Sequence, residues 1–264
     1  LCATITYTSP TAFGSCTTTH TVCVTPSPGA IIVPSGVCVA SSVTLGNSVS
    51  GGTWSSPSSC ITIGSLSGVV TGVSAPCTAP VTYSLGSGCQ VFGSVNVTPQ
   101  PNPISATGGG VICVGKTCTV SSTTAGGIWV VDPSSTSMIT VSGSGVVTGI
   151  GDGIATISYV ASGGTGCSIS RTITVNPLPQ PITTASGIMR VCQGSTLKLD
   201  DVTLGGTWTV SPSAVASIVS STGLLTGSVV VGSTTASTAS VTYTLPTGCA
   251  ITAPVTFLPL TSPR

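Results

Sequence analysis

The sequence predicts an all-β protein built of tandem, disulfide-stapled β-sandwich modules arranged in a line. Three observations predict it. A unit recurs: Gly51-Gly52-Thr53-Trp54, Gly126-Gly127-Ile128-Trp129 and Gly205-Gly206-Thr207-Trp208, each bracketed by a cysteine on either side, Cys38 and Cys89, Cys113 and Cys167, Cys192 and Cys249. The apolar period is two: Val81, Tyr83 and Leu85 alternate with Thr82 and Ser84, as do Ala155, Ile157 and Tyr159 with Thr156 and Ser158, and Val241, Tyr243 and Leu245 with Thr242 and Thr244. One face is apolar and the other hydroxylic, as in strands packed on one side. Gly, Ser, Asn and Pro clusters punctuate these runs roughly every eight to twelve residues, the spacing of a β-sandwich, and no segment carries a capped 3.6-residue apolar stripe.

In chain order, residues 1–25 read as the last two strands of an incomplete module. Ala3-Thr4-Ile5-Thr6-Tyr7 matches Ala155-Thr156-Ile157-Ser158-Tyr159, and Thr21-Val22-Cys23-Val24-Thr25-Pro26 matches Thr172-Ile173-Thr174-Val175-Asn176-Pro177. Three modules follow at 26–100, 101–180 and 181–264, their tryptophans about 75–80 residues apart. A repeat of that period is read as the structural unit. After each tryptophan comes a turn of one pattern: Gly68 to Gly72, Gly145 to Gly149, Gly223 to Gly227. Proline-rich joints separate the modules: Pro26-Ser27-Pro28, Pro99-Gln100-Pro101-Asn102-Pro103 and Pro177-Leu178-Pro179-Gln180-Pro181. Such segments favour extended, semi-rigid spacers. A similar exit begins at Leu258.

The chain has 264 residues, 12 cysteines, a formal net charge of +1 and 3% charged residues. Modules of this size bury only about 60% of their unfolded surface and are marginal alone. Disulfides compensate and persist in oxidising compartments, so the chain is expected to be extracellular or at a cell surface. Lys116, Lys198, Arg171, Arg190 and Arg264 are scattered, which argues against nucleic acid as a partner. No apolar run approaches the roughly 18 residues of a membrane span, so no membrane insertion is expected. The first residues lack the pattern of a signal peptide, and residues 1–264 are expected to be one window on a longer array or a subunit completed by its neighbour.

The order Val191-Cys192-Gln193-Gly194-Ser195-Thr196, then Gly-Gly-Thr-Trp, the Gly-Val-Val-Thr-Gly turn, Ala-Thr-Ile-Ser-Tyr, Gly-Cys and the closing Val-Asn-Pro-Leu-Pro resembles the bacterial group 2 immunoglobulin-like repeats of long secreted surface proteins of Bacteroidetes-type bacteria. The resemblance covers essentially the whole chain. It implies immunoglobulin-like sandwiches that act as stalks, adhesins or fibres, often exported by type IX secretion. The chain departs from the antibody pattern, in which the second cysteine follows the strand tyrosine by about two residues. Here it lies near the last hairpin.

Recurrence at equivalent positions predicts the structural disulfides Cys38–Cys89, Cys113–Cys167 and Cys192–Cys249, each contributing about 4 kcal/mol in the chain-entropy picture. Strand parity places Cys2 and Cys23 outward on one face of the first hairpin, suited to a cross-strand bridge. Cys60 and Cys77 are extra to one module and are expected to pair. Cys118 occupies a slot filled by Val43 and Leu197 elsewhere, so it is expected to be a buried thiol. Cys16 is equivalent to Cys89 and Cys167, and its partner is expected upstream. Trp54, Trp129 and Trp208 are expected in the module cores.

No catalytic, cofactor or metal site is expected. Asp132, Asp152, Asp200 and Asp201 are the only carboxylates and His20 the only histidine. Asp200-Asp201 falls short of the six to eight oxygens that calcium takes, and no Gly-x-Ser-x-Gly elbow occurs. The sequon Asn96-Val97-Thr98 is uninformative. Two functional readings remain. One is a structural segment of an extracellular filament or surface stalk, with copies of itself or flanking modules as head-to-tail partners. The other is an adhesin whose Thr-, Ser- and Gly-rich loops bind a glycan or host protein.

Overall fold

A computed structural model describes residues 2–24, 26–34, 36–86, 88–162, 166–229 and 234–259. The exit segment predicted over 258–263 lies largely outside them. The described chain is all-β apart from two short 3-10 turns, Thr107–Gly110 and Pro133–Ser135, and folds into immunoglobulin-like sandwiches preceded by a two-stranded hairpin.

The hairpin pairs Cys2–Thr11 with Gly14–Cys23 antiparallel. In the first sandwich, one sheet has the order Val37–Cys38, Gln90–Thr98, Cys77–Ser84, Thr53–Ser55, and the other Ser42–Thr44, Val69–Gly72, Ile61–Ile63. The second repeats this with Val111–Cys113, Ser168–Asn176, Gly153–Val160 and Ile128–Val131, over a sheet of Ser105–Ala106, Thr117–Ser121, Val146–Gly149 and Ile139–Val141. The third has Arg190–Cys192, Ala250–Leu258, Ser237–Thr244 and Thr207–Ser211, over Thr196–Lys198, Leu224–Gly227 and Ala216–Ile218. By contacts the chain groups into two compact units. One is Leu1–Asn102 with Thr124–Gly127 and Val160–Ile169; the other is Pro103–Thr123, Ile128–Tyr159 and Ser170–Arg264.

The alternation read from sequence is the burial pattern. Ala79, Val81 and Tyr83 are buried, as are Ala155, Ile157 and Tyr159, and Ala239, Val241 and Tyr243, while Thr and Ser between them face outward. Both sheets contribute to each core. In the third sandwich Ala216 and Leu225 from one sheet, with Leu199 just past its edge strand, meet Trp208, Val255 and Phe257 from the other.

The motif residues have one shared job, to seat an aromatic pair. Trp54 lies against Tyr83, Trp129 against Tyr159 and Trp208 against Tyr243, with ring centroids 4.5, 4.6 and 4.5 Å apart in tilted geometry, a favourable arrangement for two quadrupoles. The Tyr83 hydroxyl donates to the Val49 carbonyl (2.6 Å) and accepts from the Gly52 N–H (2.9 Å). Tyr243 makes the same pair with Thr203 (2.7 Å) and Gly206 (2.8 Å). Each buried phenol is thereby satisfied. The tyrosine lies so close that a Cβ on Gly52 would sit 2.5 Å from its ring, which is why the second glycine of the motif carries no side chain. The turn glycines Gly68, Gly145 and Gly223 have φ of +68°, +82° and +72° and press against the tryptophan edge, so they need both freedoms that glycine provides.

Trp54 and Trp208 are core residues as expected, 6% and 5% exposed. Trp129 is only half-buried. It keeps its tyrosine contact but not full enclosure.

Candidate functional site: the disulfide joints

Each sandwich has a short strand ending in a cysteine, and the backbone decides which end of the sandwich that cysteine occupies. Val37–Cys38 runs parallel to the last strand, with Val37 beside Val97 and Cys38 beside Thr98. The same pairing sets Cys113 beside Asn176 and Cys192 beside Leu258. The next N–H continues the ladder each time: Val39 donates to Thr98 O (3.1 Å), Val114 to Asn176 O (3.1 Å) and Gln193 to Leu258 O (2.9 Å). These cysteines therefore sit at the finishing end of the last strand. The second cysteine of each repeat, Cys89, Cys167 or Cys249, sits immediately before that strand starts, at the hairpin. The two are separated by a strand of 9 residues, about 3.3 Å per residue, or roughly 30 Å.

That separation overturns the pairing expected within modules. A disulfide needs Cα atoms within about 7 Å, so Cys38–Cys89, Cys113–Cys167 and Cys192–Cys249 cannot form in the folded sandwich. The bonds are Cys38–Cys167 and Cys113–Cys249, each with Cα atoms 5.6 Å apart. Each links the finishing end of one sandwich to the hairpin of the next repeat. Cys38–Cys167 lies within the first compact unit, because the hairpin segment Val160–Ile169 belongs to it, and Cys113–Cys249 lies within the second. Cys192, assigned to a disulfide from sequence, is instead an exposed thiol, and Cys89 is half-buried and not the partner of Cys38.

The receiving side is also built the same way twice. Ala161 N donates to Cys167 O (2.8 Å) and Leu245 N to Cys249 O (2.8 Å), so each cysteine is held by the strand before it. Cys167 Sγ comes 4.0 Å from Thr98 O, and Cys249 Sγ 3.9 Å from Asn176 O. Those carbonyls belong to the residues paired with Cys38 and Cys113. Both receiving cysteines have 0% exposure. The joint is thus a buried cross-link against the last peptide of the preceding sandwich.

Cys2, Cys23, Cys60, Cys77 and Cys118 follow the sequence reading. Cys2 bonds Cys23 across the hairpin, directly opposite in register. Cys60 bonds Cys77. Cys118 is 5% exposed with a reduced thiol, and burial pushes that thiol above its ordinary range, with the Arg171 charge pulling the other way.

The polar residues make turns. Asp201 Oδ1 accepts from Thr203 N–H (2.7 Å), and Lys198 Nζ lies 2.6 Å from Asp200 Oδ1 in a solvent-exposed ion pair. Among the described residues, no three His, Cys, Asp or Glu side chains gather as a metal site, and no helix is long and apolar enough to cross a membrane. One structural residue escaped the sequence reading. Arg171 donates to Ile104 O (2.7 Å) and Gly109 O (2.9 Å), holding down the segment that leads into the second sandwich. Scattered charge gave no hint of that role.

No family model matches the chain, and no curated protein matches its sequence. Similar solved structures include the human desmocollin-1 ectodomain (11% identity, 84% of this chain and 57% of that one, TM-score 0.23). They also include invasin, a bacterial integrin-binding protein (15%, 96% and 64%, TM-score 0.35), and domains 1–6 of the surface layer protein SbsC (13%, 98% and 45%, TM-score 0.27). The chain spans less than two thirds of the length of each. Superpositions this loose say nothing about what the chain binds or builds.

Proposed function

We propose that the chain is a structural segment of an extracellular filament or cell-surface stalk, non-catalytic, of the kind implied by its resemblance to bacterial group 2 immunoglobulin-like repeats. The observation that carries this reading is where the sulfur is spent. A disulfide inside a sandwich would stabilise that sandwich alone. Cys38–Cys167 and Cys113–Cys249 instead tie each repeat to its successor. Such bonds restrict motion at a joint, and joint stiffness matters for a rod that transmits force or holds a length. Proline-rich connectors add to the same restriction. Disulfides of this number also require an oxidising compartment, which supports an extracellular location. Near-absence of charge removes the repulsion that keeps soluble proteins apart and favours association between copies.

Electron microscopy of native material tests the reading. Filaments or uniform stalks are expected. Compact particles, or stalks that exist only to carry a distinct ligand-binding head, would favour the adhesin instead. Non-reducing peptide mapping is expected to return the Cys38–Cys167 and Cys113–Cys249 peptides. Recovery of Cys38–Cys89 would remove the observation on which the reading stands.

A further inference from the structure

Two exposed thiols, Cys192 and Cys16, each reproduce one half of a joint that the chain forms twice. Cys192 stands at the end of a short parallel strand beside Leu258, as Cys38 stands beside Thr98 and Cys113 beside Asn176. Cys16 stands at the register of the receiving position, with the hairpin running on past it to Thr11 and Gly14. In the third sandwich Tyr243 pairs with Ile251, and the residue two beyond the tyrosine, Leu245, bonds Cys249, two before Ile251. In the hairpin Tyr7 pairs with Thr18, and Ser9, two beyond the tyrosine, pairs with Cys16, two before Thr18.

We infer that Cys192 of one copy and Cys16 of another form a third joint of the same kind, so that copies link head to tail. This rests on the structural reading proposed above, and it names the partner: a second copy of this chain. Each copy presents Cys192 as the finishing half and Cys16 as an exposed receiving half, so the contact is heterologous. Other cysteines fit less well. Cys118 is buried, and Cys89, though at a receiving position, is half-buried where Cys16 is exposed. The chemistry is thiol–disulfide exchange with a small-molecule disulfide as oxidant. The Cys192 thiolate attacks it, releasing one small thiol and leaving a mixed disulfide. The Cys16 thiolate of the second copy then attacks the Cys192 sulfur, forming the protein S–S bond and releasing the second small thiol, so two thiol protons are given up and two electrons pass to the oxidant.

The test is to incubate the purified 264-residue chain with oxidised glutathione, then run non-reducing electrophoresis and peptide mass spectrometry. A ladder of multiples is expected, together with a Cys16–Cys192 peptide. Cys16→Ser and Cys192→Ser should each reduce the ladder at least tenfold, while Cys89→Ser and Cys118→Ser leave it. A chain that stays monomeric, a Cys16–Cys192 bridge closed within one chain, dimers that survive Cys16→Ser, or a ladder lost in Cys89→Ser would each overturn the proposal. Micrographs separate it from the broader reading. Filaments without a ladder would sink only this joint, whereas a ladder with neither filaments nor stalks in native material would keep the joint and sink the structural role.

Discussion

The hairpin Cys2–Cys23 and the hairpin made by Ser237–Thr244 and Ala250–Leu258 are the same object in two settings. Ala3 pairs with Val22 as Ala239 pairs with Val255, and Ile5 pairs with His20 as Val241 pairs with Ala253. Tyr7 is the counterpart of Tyr243. Their surroundings are opposite. Val241, Tyr243 and Val255 are at most 5% exposed, whereas Ile5, Tyr7 and Val22 are 58%, 67% and 43% exposed. Strand pairing is therefore written locally, in the alternation and the turn. Burial is conferred by the second sheet, which the first hairpin lacks among the described residues. The stabilisers differ accordingly. Where the third sandwich has the outward pair Thr238 and Thr256, the first hairpin has the Cys2–Cys23 bond. A lone hairpin is marginal in water, and the Cys2–Cys23 bond ties its two strands covalently.

The largest expected contrast lies at the tyrosines. Tyr243→Ala removes a buried ring, its contact with Trp208 and two hydrogen bonds. It should cost about 3–5 kcal/mol, as for other buried aromatics. Tyr7→Ala should stay within about 0.5 kcal/mol. Urea unfolding of both variants checks this, and a Tyr7→Ala cost comparable to that of Tyr243→Ala would mean the hairpin face is covered in solution. The next contrast is at the outward pair. Cys2→Ser with Cys23→Ser should remove about 3 kcal/mol from the hairpin in the chain-entropy picture, seen as loss of amide protection over residues 3–9. Thr238→Ser at the counterpart position should leave protection of 239–243 unchanged. Retained protection in the reduced hairpin would show that it holds by packing against something else.

The same division explains what the sequence revealed. Period-two runs and the tyrosine register made the strands legible, and strand parity set Cys2 and Cys23 outward on one face. The recurring Gly-Gly-x-Trp marked core tryptophans, and the structure adds the reason for its second glycine at Gly52 and Gly206, where the tyrosine ring leaves no room for a Cβ. The joint disulfides were misread because equivalence between repeats locates a cysteine within a module and not at a particular end of it. The missing step is topological. The short cysteine-bearing strand of each sandwich pairs parallel with the last strand, so a cysteine finishing the short strand and one preceding the last must lie at opposite ends. The half-burial of Trp129 was beyond reach for the other reason, since exposure depends on neighbours distant in sequence. Arg171 was missed likewise, its acceptors lying 67 and 62 residues away.

The smallest effect belongs to a contact that needs no distant neighbour at all. Asp132 caps the turn Pro133–Ser135: its Oδ1 accepts from the Ser134 hydroxyl (2.5 Å) and from the Ser134 N–H (2.9 Å). Hydrogen bonds to the charged form favour it. The Ser134 hydroxyl is the larger cause and the N–H the second, and together they hold the carboxyl below the ordinary value of 3.8 despite a small opposing cost of desolvation. Because the folded value is depressed, the contribution is present above the unfolded pKa and is lost as pH falls through the folded one. An NMR titration of the Asp132 carboxyl carbon should give a midpoint below 3.8, and Ser134→Ala should raise it part of the way back, the N–H remaining. The carboxylate is fully exposed, so Asp132→Asn should barely move the melting temperature at neutral pH. Since donor and acceptor are two residues apart, the lowered value should persist when Trp129→Ala loosens the core beside it. A midpoint that returned to 3.8 in that variant would show that even this turn takes its geometry from the sandwich, and the separation between locally written pairing and conferred burial would lose its clearest local case.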